Sequence, residues 1–131
     1  MTTVEVWKSI INFEGYYEVS NFGNVRSCDR LVNCSRGYSR RLWKGKILSK
    51  IVASTRGYYQ VSFCKSGIIT KHYIHRLVAE TFLLERNETV NHIDGNKLNN
   101  ELSNLEWVTY SENNKHAFSL KLKLPSGGIN K

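Results

Sequence analysis

Val90-Asn91-His92-Ile93-Asp94-Gly95-Asn96-Lys97, followed by Asn104-Leu105-Glu106-Trp107 and then by Glu112-Asn113-Asn114-Lys115-His116, reads as strand, turn, strand and helix in quick succession. Thr89 to Ile93 is a short strand, and Asp94-Gly95-Asn96 a tight turn in which glycine supplies the unusual backbone angle. Lys97 to Ser103 is a polar, amide-rich excursion, and Leu105 to Val108 makes the second strand. Thr109 and Glu112 stand at capping-box spacing, which predicts a helix from about Tyr110 to Leu120. Such a unit can bring one imidazole and several side-chain amides to a single point.

Working backwards, Leu77, Val78, Phe82 and Leu83 sit at helical spacing behind His75-Arg76, so residues 75 to 84 are predicted to form a short helix. Before it, Tyr58 to Phe63 alternates, Lys65-Ser66-Gly67 turns, and Ile68 to Ile74 runs back as a hairpin. The first half is strands and turns. Glu5 to Lys8, Tyr16 to Val19 and Val25 to Ser27 are predicted strands, with the turn signal Asn21-Phe22-Gly23-Asn24 ahead of the third. Asn33 to Lys46 is expected as a long basic loop, after which Lys46-Ile47-Leu48 closes the small sheet. The fold class is therefore α+β. A β-rich basic module over 1–56 precedes a strand–strand–helix domain over 57–121, with a flexible tail over 122–131.

The chain has 131 residues and a formal net charge of +8, enough length for one domain or for one small module leaning on another. The excess is local. Between Arg26 and Arg56 there are nine Lys and Arg residues against Asp29 alone, which accounts for all of the +8. So concentrated a charge repels itself, and it favours a phosphate backbone as partner over a merely solvated face. Cys28, Cys34 and Cys64 are odd in number and lack a C-x-x-C pair, which argues against a disulfide framework and a structural zinc. No secretory leader or membrane-length apolar run is evident, so a cytoplasmic protein without a membrane partner is expected.

Hydrolysing a phosphodiester requires an activated water, neutralisation of charge on the phosphate and stabilisation of the leaving oxygen. A neutral imidazole, with a pKa of about 6.5, is a good proton acceptor near neutrality. A hard divalent cation bound through oxygen supplies the other two. His92 near a strand end and Asn113 in the first turn of the helix are placed for these roles. Asn91 and His92 point to opposite faces of a regular strand, so both serve one site only if the strand twists or ends there.

Asn91 to Lys97, Asn99-Asn100, Ser103 to Thr109 and Ser111 to Asn114 resemble the HNH endonuclease motif in the form found in phage- and intron-encoded homing enzymes. Ile74 to Phe82 resembles the segment leading into it, and Val6 to Ser27 resembles the NUMOD4-like module often attached to such nucleases. The resemblance implies a ββα-metal core. In it His92 matches the general base, Asn104 the residue that holds the loop and orients the base, and Asn91 and Asn113 the ligands of Mg²⁺ (or Mn²⁺). Asn91 stands where many members have Asp, which implies weak metal binding without DNA.

His116, three residues after Asn113, is open between a further ligand, a phosphate contact and a solvent-facing residue. Asp94 reads as a turn-former by its Asp-Gly chemistry ahead of a ligand, His75 as a helix-start histidine bonded to backbone ahead of a DNA contact, and His72 as an exposed strand residue. Trp107, Leu105, Phe82 and Leu77 are expected in the core.

For double-stranded DNA the candidate contacts are Arg26, Arg30, Arg36, Arg40, Arg41, Lys44 and Lys46, together with Arg76 and Lys97. The chain ends too soon for the C-terminal helix-turn-helix of related homing enzymes, so looser, salt-sensitive recognition is expected. A single site favours nicking by a monomer, with both strands cut if two copies meet in a weak homodimer. The rival readings are a non-catalytic DNA-binding protein that keeps the fold and, more remotely, an RNA-directed nuclease.

Overall fold

The computed structural model describes residues 4–33, 40–53 and 56–123. Strands β1 (Trp7–Ser9), β2 (Tyr17–Ser20) and β3 (Val25–Ser27) form an antiparallel sheet in that order. The turn between β2 and β3 is built on the fully buried Ser20, whose Oγ accepts from Phe22 N and Asn24 N, both at 3.2 Å. Gly23 takes φ +85° there. The expected closure by Lys46-Ile47-Leu48 is present: Ser27 N donates to Lys46 O (2.9 Å) and Leu48 N to Val25 O (2.8 Å).

The long loop expected over 33–46 is instead interrupted by a hairpin. Strands β4 (Arg30–Asn33) and β5 (Arg40–Trp43) pair antiparallel with Leu31 opposite Leu42. The basic and glycine content of this stretch hides a short β-forming run at each end, and the two runs place an apolar pair across the strands. A two-residue strand, β6 (Ile51–Val52), was also not foreseen. It adds to the predicted hairpin of β7 (Tyr59–Lys65) and β8 (Ile68–Tyr73), pairing Ile51 with Gln60 and Val52 with Tyr59.

Helix α1 (Ile74–Phe82) buries Ile74, Leu77, Val78 and Ala79 and stops two residues short of the predicted end, Leu83 being already extended. Strands β9 (Thr89–His92) and β10 (Leu105–Val108) are antiparallel, with Leu105 opposite His92 and Glu106 opposite Asn91. A 3-10 turn over Leu102–Asn104 leads into β10. Helix α2 (Tyr110–Lys123) begins at the predicted capping box: Glu112 N donates to Thr109 Oγ1 (3.1 Å), and Thr109 N to Glu112 Oε1 (2.9 Å). It runs past residue 120, and residues 124–131 of the expected tail lie outside the described residues.

The architecture is α+β, a small antiparallel β module followed by a β–β–α unit. One core joins them. Ile10, Tyr17, Val19 and Val25 from the first half pack with Val61, Phe63, Ile74, Val78, Val90 and Leu105 from the second. Tyr17 stacks on Phe63 at 4.1 Å, and its hydroxyl accepts from Cys64 N (2.9 Å) and donates to Cys64 O (3.3 Å). Leu77 and Leu105 are buried as expected, while Phe82 and Trp107 sit half-buried at the edge of this core.

Candidate active site at the strand–strand–helix junction

The junction is assembled by short-range chemistry. Asp94 behaves as a turn-former: its Oδ1 accepts from Asn96 N (2.8 Å) and its Oδ2 from Asn99 Nδ2 (2.9 Å). These bonds hold its carboxyl below the usual carboxylate range, the Asn99 bond contributing most. Gly95 has φ +78°, and a Cβ there would stand 2.7 Å from Leu120 Cδ1, so glycine lets α2 close on the turn. His116 Nε2 donates to Ile93 O at 2.9 Å, a second tie between α2 and the end of β9. Asn104 is bonded into the intervening loop on both sides: Oδ1 accepts from Asp94 N, and Nδ2 donates to Asp94 Oδ1 and to Asn99 O, each at 2.9 Å.

These ties bring Asn91, His92, Asn113 and His116 around one cavity of about 190 Å³, with Tyr58, Gly95 and Lys97 also on its walls. Asn91 and His92 both line it, at the end of β9, which stops at His92. His92 is 5% exposed, and its Nε2 lies 2.8 Å from Asn100 Oδ1. Burial pushes its pKa down and Lys97 adds to this, while the Asn100 bond and Asp94 act in the opposite sense. The imidazole is therefore neutral near pH 7. Asn91 Nδ2 donates to Glu106 Oε2 at 2.7 Å, so of this amide only Oδ1 could serve a cation. Of His116, the bond to Ile93 leaves only Nδ1 for a ligand.

Four neighbours were not singled out from the sequence for a role at this site. Asn100 belongs to the amide-rich excursion and, with Asn99, to the motif resemblance, but nothing there marks which amide meets His92. Glu106 follows from the register with Asn91. Tyr58 lies far off in the chain, yet its ring stacks on His75 at 4.5 Å and on His92 at 5.7 Å. His75 corrects the expectation of a backbone-bonded helix start: it is 5% exposed and its Nδ1 has no hydrogen-bond partner among the described residues. Burial, with His92 and Arg76 adding to it, pushes its pKa down to about 3. His72 is half-buried against Phe63 rather than exposed.

The basic candidates divide by what they touch. Arg26 is paired with Glu18 at 2.7 Å and lies 4.1 Å over Trp7. Arg30 lies 4.7 Å over Tyr16, and Lys44 meets Asp29 at 3.4 Å. Arg41 and Lys46 are exposed. Arg76 lies 5.8 Å over Trp107. Lys97 is at the cavity itself, donating to Arg56 O at 3.2 Å. Arg40 takes part through its backbone in β5, and Arg36 lies outside the described residues.

Among the described residues no three His, Cys, Asp or Glu side chains cluster to hold a metal ion. What the cavity offers is the side-chain amides of Asn91 and Asn113 beside the imidazoles of His92 and His116. Such a donor set fits a hard cation that keeps much of its shell for water and phosphate. No described helix is long and apolar enough to cross a membrane.

Residues 5–64 match the NUMOD4 motif and residues 72–115 match the HNH endonuclease family. The chain is a NUMOD4-bearing member of the HNH endonuclease family. It is 38% identical over 122 residues to an uncharacterized HNH endonuclease of Acanthamoeba polyphaga mimivirus, covering 92% of this chain and 32% of that protein. It is 36% identical over 115 residues to the DNA endonuclease I-HmuI of Bacillus phage SP01, covering 86% of this chain and 58% of that one. A solved structure of I-HmuI, described as showing DNA binding and cleavage by an HNH homing endonuclease, superposes with a TM-score of 0.70 at 34% identity. That match covers 94% of this chain and 63% of the other. The chain thus spans less than two thirds of each of these relatives.

Proposed function

We propose that this protein is a metal-dependent HNH endonuclease that hydrolyses phosphodiester bonds in double-stranded DNA, nicking one strand. The observation that carries the reading is that His92, Asn91 and Asn113 line one cavity at the β9–β10–α2 junction. His92 is the general base: its neutral imidazole takes a proton from water, whose oxygen then attacks phosphorus. Asn91 and Asn113 hold a divalent cation, Mg²⁺ or Mn²⁺, with His116 as a further donor. When bound, that ion neutralises charge on the phosphate and stabilises the leaving oxygen. Asn104 positions His92 by pinning the turn that follows it. Lys97 at the cavity and the exposed Arg41 and Lys46 meet the DNA backbone, with Arg26, Arg30, Lys44 and Arg76 extending the basic surface and Arg36 and Arg40 as further candidate contacts from the sequence. The protein acts as a monomer or weak homodimer in the cytoplasm.

A second reading, a DNA-binding protein that keeps the fold without catalysis, is favoured by the amide at position 91. Supercoiled plasmid with Mg²⁺ or Mn²⁺ separates the two. The expected product is open circle, lost in His92→Ala while DNA binding persists. An inert wild-type protein that still binds DNA supports the second reading, and cleavage surviving His92→Ala removes His92 from its role.

A further inference from the structure

His92 is held by a residue whose own place is set from the other half of the chain. Asn100 is 4% exposed, and its Oδ1 lies 2.8 Å from His92 Nε2. An amide oxygen only accepts, so Nε2 carries the hydrogen and Nδ1 keeps the lone pair. The Nδ2 of the same amide is buried without a partner among the described residues. A buried donor left unpaired is costly, and an apolar residue would avoid that cost. Among the described residues, the single side-chain bond that Asn100 makes is the one to the imidazole.

Behind Asn100 stands the β2–β3 turn of the N-terminal module. A Cβ at Gly23 would lie 2.8 Å from Asn100 O and 3.0 Å from Asn100 Cβ, so the two backbones are in close contact. Leu102 N donates to Asn21 O at 2.8 Å, fixing the same loop two residues on. The turn itself is rigid: Ser20 ties its interior, and Asn21 Oδ1 accepts from Val6 N at 2.7 Å. The support therefore runs from the N-terminal module through Asn100 to the imidazole.

We propose that Asn100 is a positioning residue for His92, fixing the proton on Nε2 so that Nδ1 is the basic nitrogen, and that the Gly23 turn sets where Asn100 stands. The N-terminal module is then part of the catalytic apparatus as well as a DNA-binding attachment. The consequence for rate rests on the endonuclease reading; the consequence for the protonation site does not.

The test uses the full chain labelled with ¹⁵N-histidine, at a pH where the imidazole is neutral. Two-bond ¹H–¹⁵N correlations report which ring nitrogen of His92 carries the proton. The expected wild-type spectrum has it on Nε2, unchanged in Asn100→Asp, whose carboxylate still accepts, and averaged over both nitrogens in Asn100→Ala. Gly23→Ala, by displacing Asn100, should move the spectrum in the same direction as Asn100→Ala. In plasmid cleavage, Asn100→Ala should lower kcat by about 10- to 100-fold with DNA affinity little changed, and Asn100→Asp should recover much of it. A wild-type proton on Nδ1, or an Asn100→Ala protein with unaltered tautomer and rate, would overturn the proposal. If the wild-type protein cuts nothing, the endonuclease reading fails and the spectra still decide whether Asn100 sets the tautomer.

Discussion

Asn104 and Asp94 exchange two hydrogen bonds: Asp94 N donates to Asn104 Oδ1, and Asn104 Nδ2 returns one to Asp94 Oδ1, both at 2.9 Å. The pair fixes the turn directly after His92. Asn104→Ala leaves Asp94 N and Asn99 O without their partner. A loss of about 1–3 kcal/mol in urea unfolding is expected, with cleavage falling more than DNA binding. Unchanged stability would mean that water replaces the amide at no cost.

Asn91 and Glu106 make a second pair, with the amide donating to the carboxylate at 2.7 Å. Asn91→Asp replaces that bond with two facing carboxylates, which repel and raise the pKa of one of them. The variant should melt below the parent in EDTA and recover as Mg²⁺ is added, because binding to the folded state stabilises it. The parent, with neutral amide oxygens, should be nearly indifferent to Mg²⁺ until DNA is present. Tight Mg²⁺ binding to the free parent in calorimetry would contradict this.

His75 makes stability depend on pH in a definite direction. Its folded pKa, near 3, lies below the unfolded value of about 6.5, so the unfolded chain binds more protons between those limits. Stability contributed by the neutral ring is fully present above about pH 6.5 and is lost as pH falls toward the folded value. Melting temperature should drop between pH 6.5 and 5, a range in which ordinary carboxylates stay ionised, and the drop should be smaller in His75→Phe. Equal slopes for the two proteins would show that the ring is accessible to protons in the folded state.

Tyr17 joins the halves through its two bonds to the Cys64 backbone. Tyr17→Phe keeps the stacking on Phe63 and deletes only the hydroxyl, leaving Cys64 N unpaired. The expected cost is about 1–2 kcal/mol. Because the core is shared, strand and helix signals should still be lost in one transition. Two separate transitions would mean that the halves fold independently.

What was legible in advance had local causes. The capping box at Thr109, the Asp94-Gly95 turn and the alternation from Tyr58 onward each act over a few residues. The order of strands, turns and helices followed from them. The β4–β5 hairpin was obscured because its β-forming residues are short runs between arginines. Asn100 lay within the motif resemblance, but nothing in that polar stretch tells which of its amides meets His92.

The amino-acid sequence by itself determined the fold class, the β–β–α unit and the candidates His92 and Asn113, since spacing and residue chemistry are written in the chain; Asn91 joined them through the resemblance to the HNH motif. Only the tertiary structure decided that His75 and Tyr58 pack around His92, that Asn100 holds the imidazole, and that Gly23 stands behind Asn100. Those contacts link residues far apart in the chain. They exist because one core, from Tyr17 to Leu105, closes both halves on each other, and no local pattern encodes that closure.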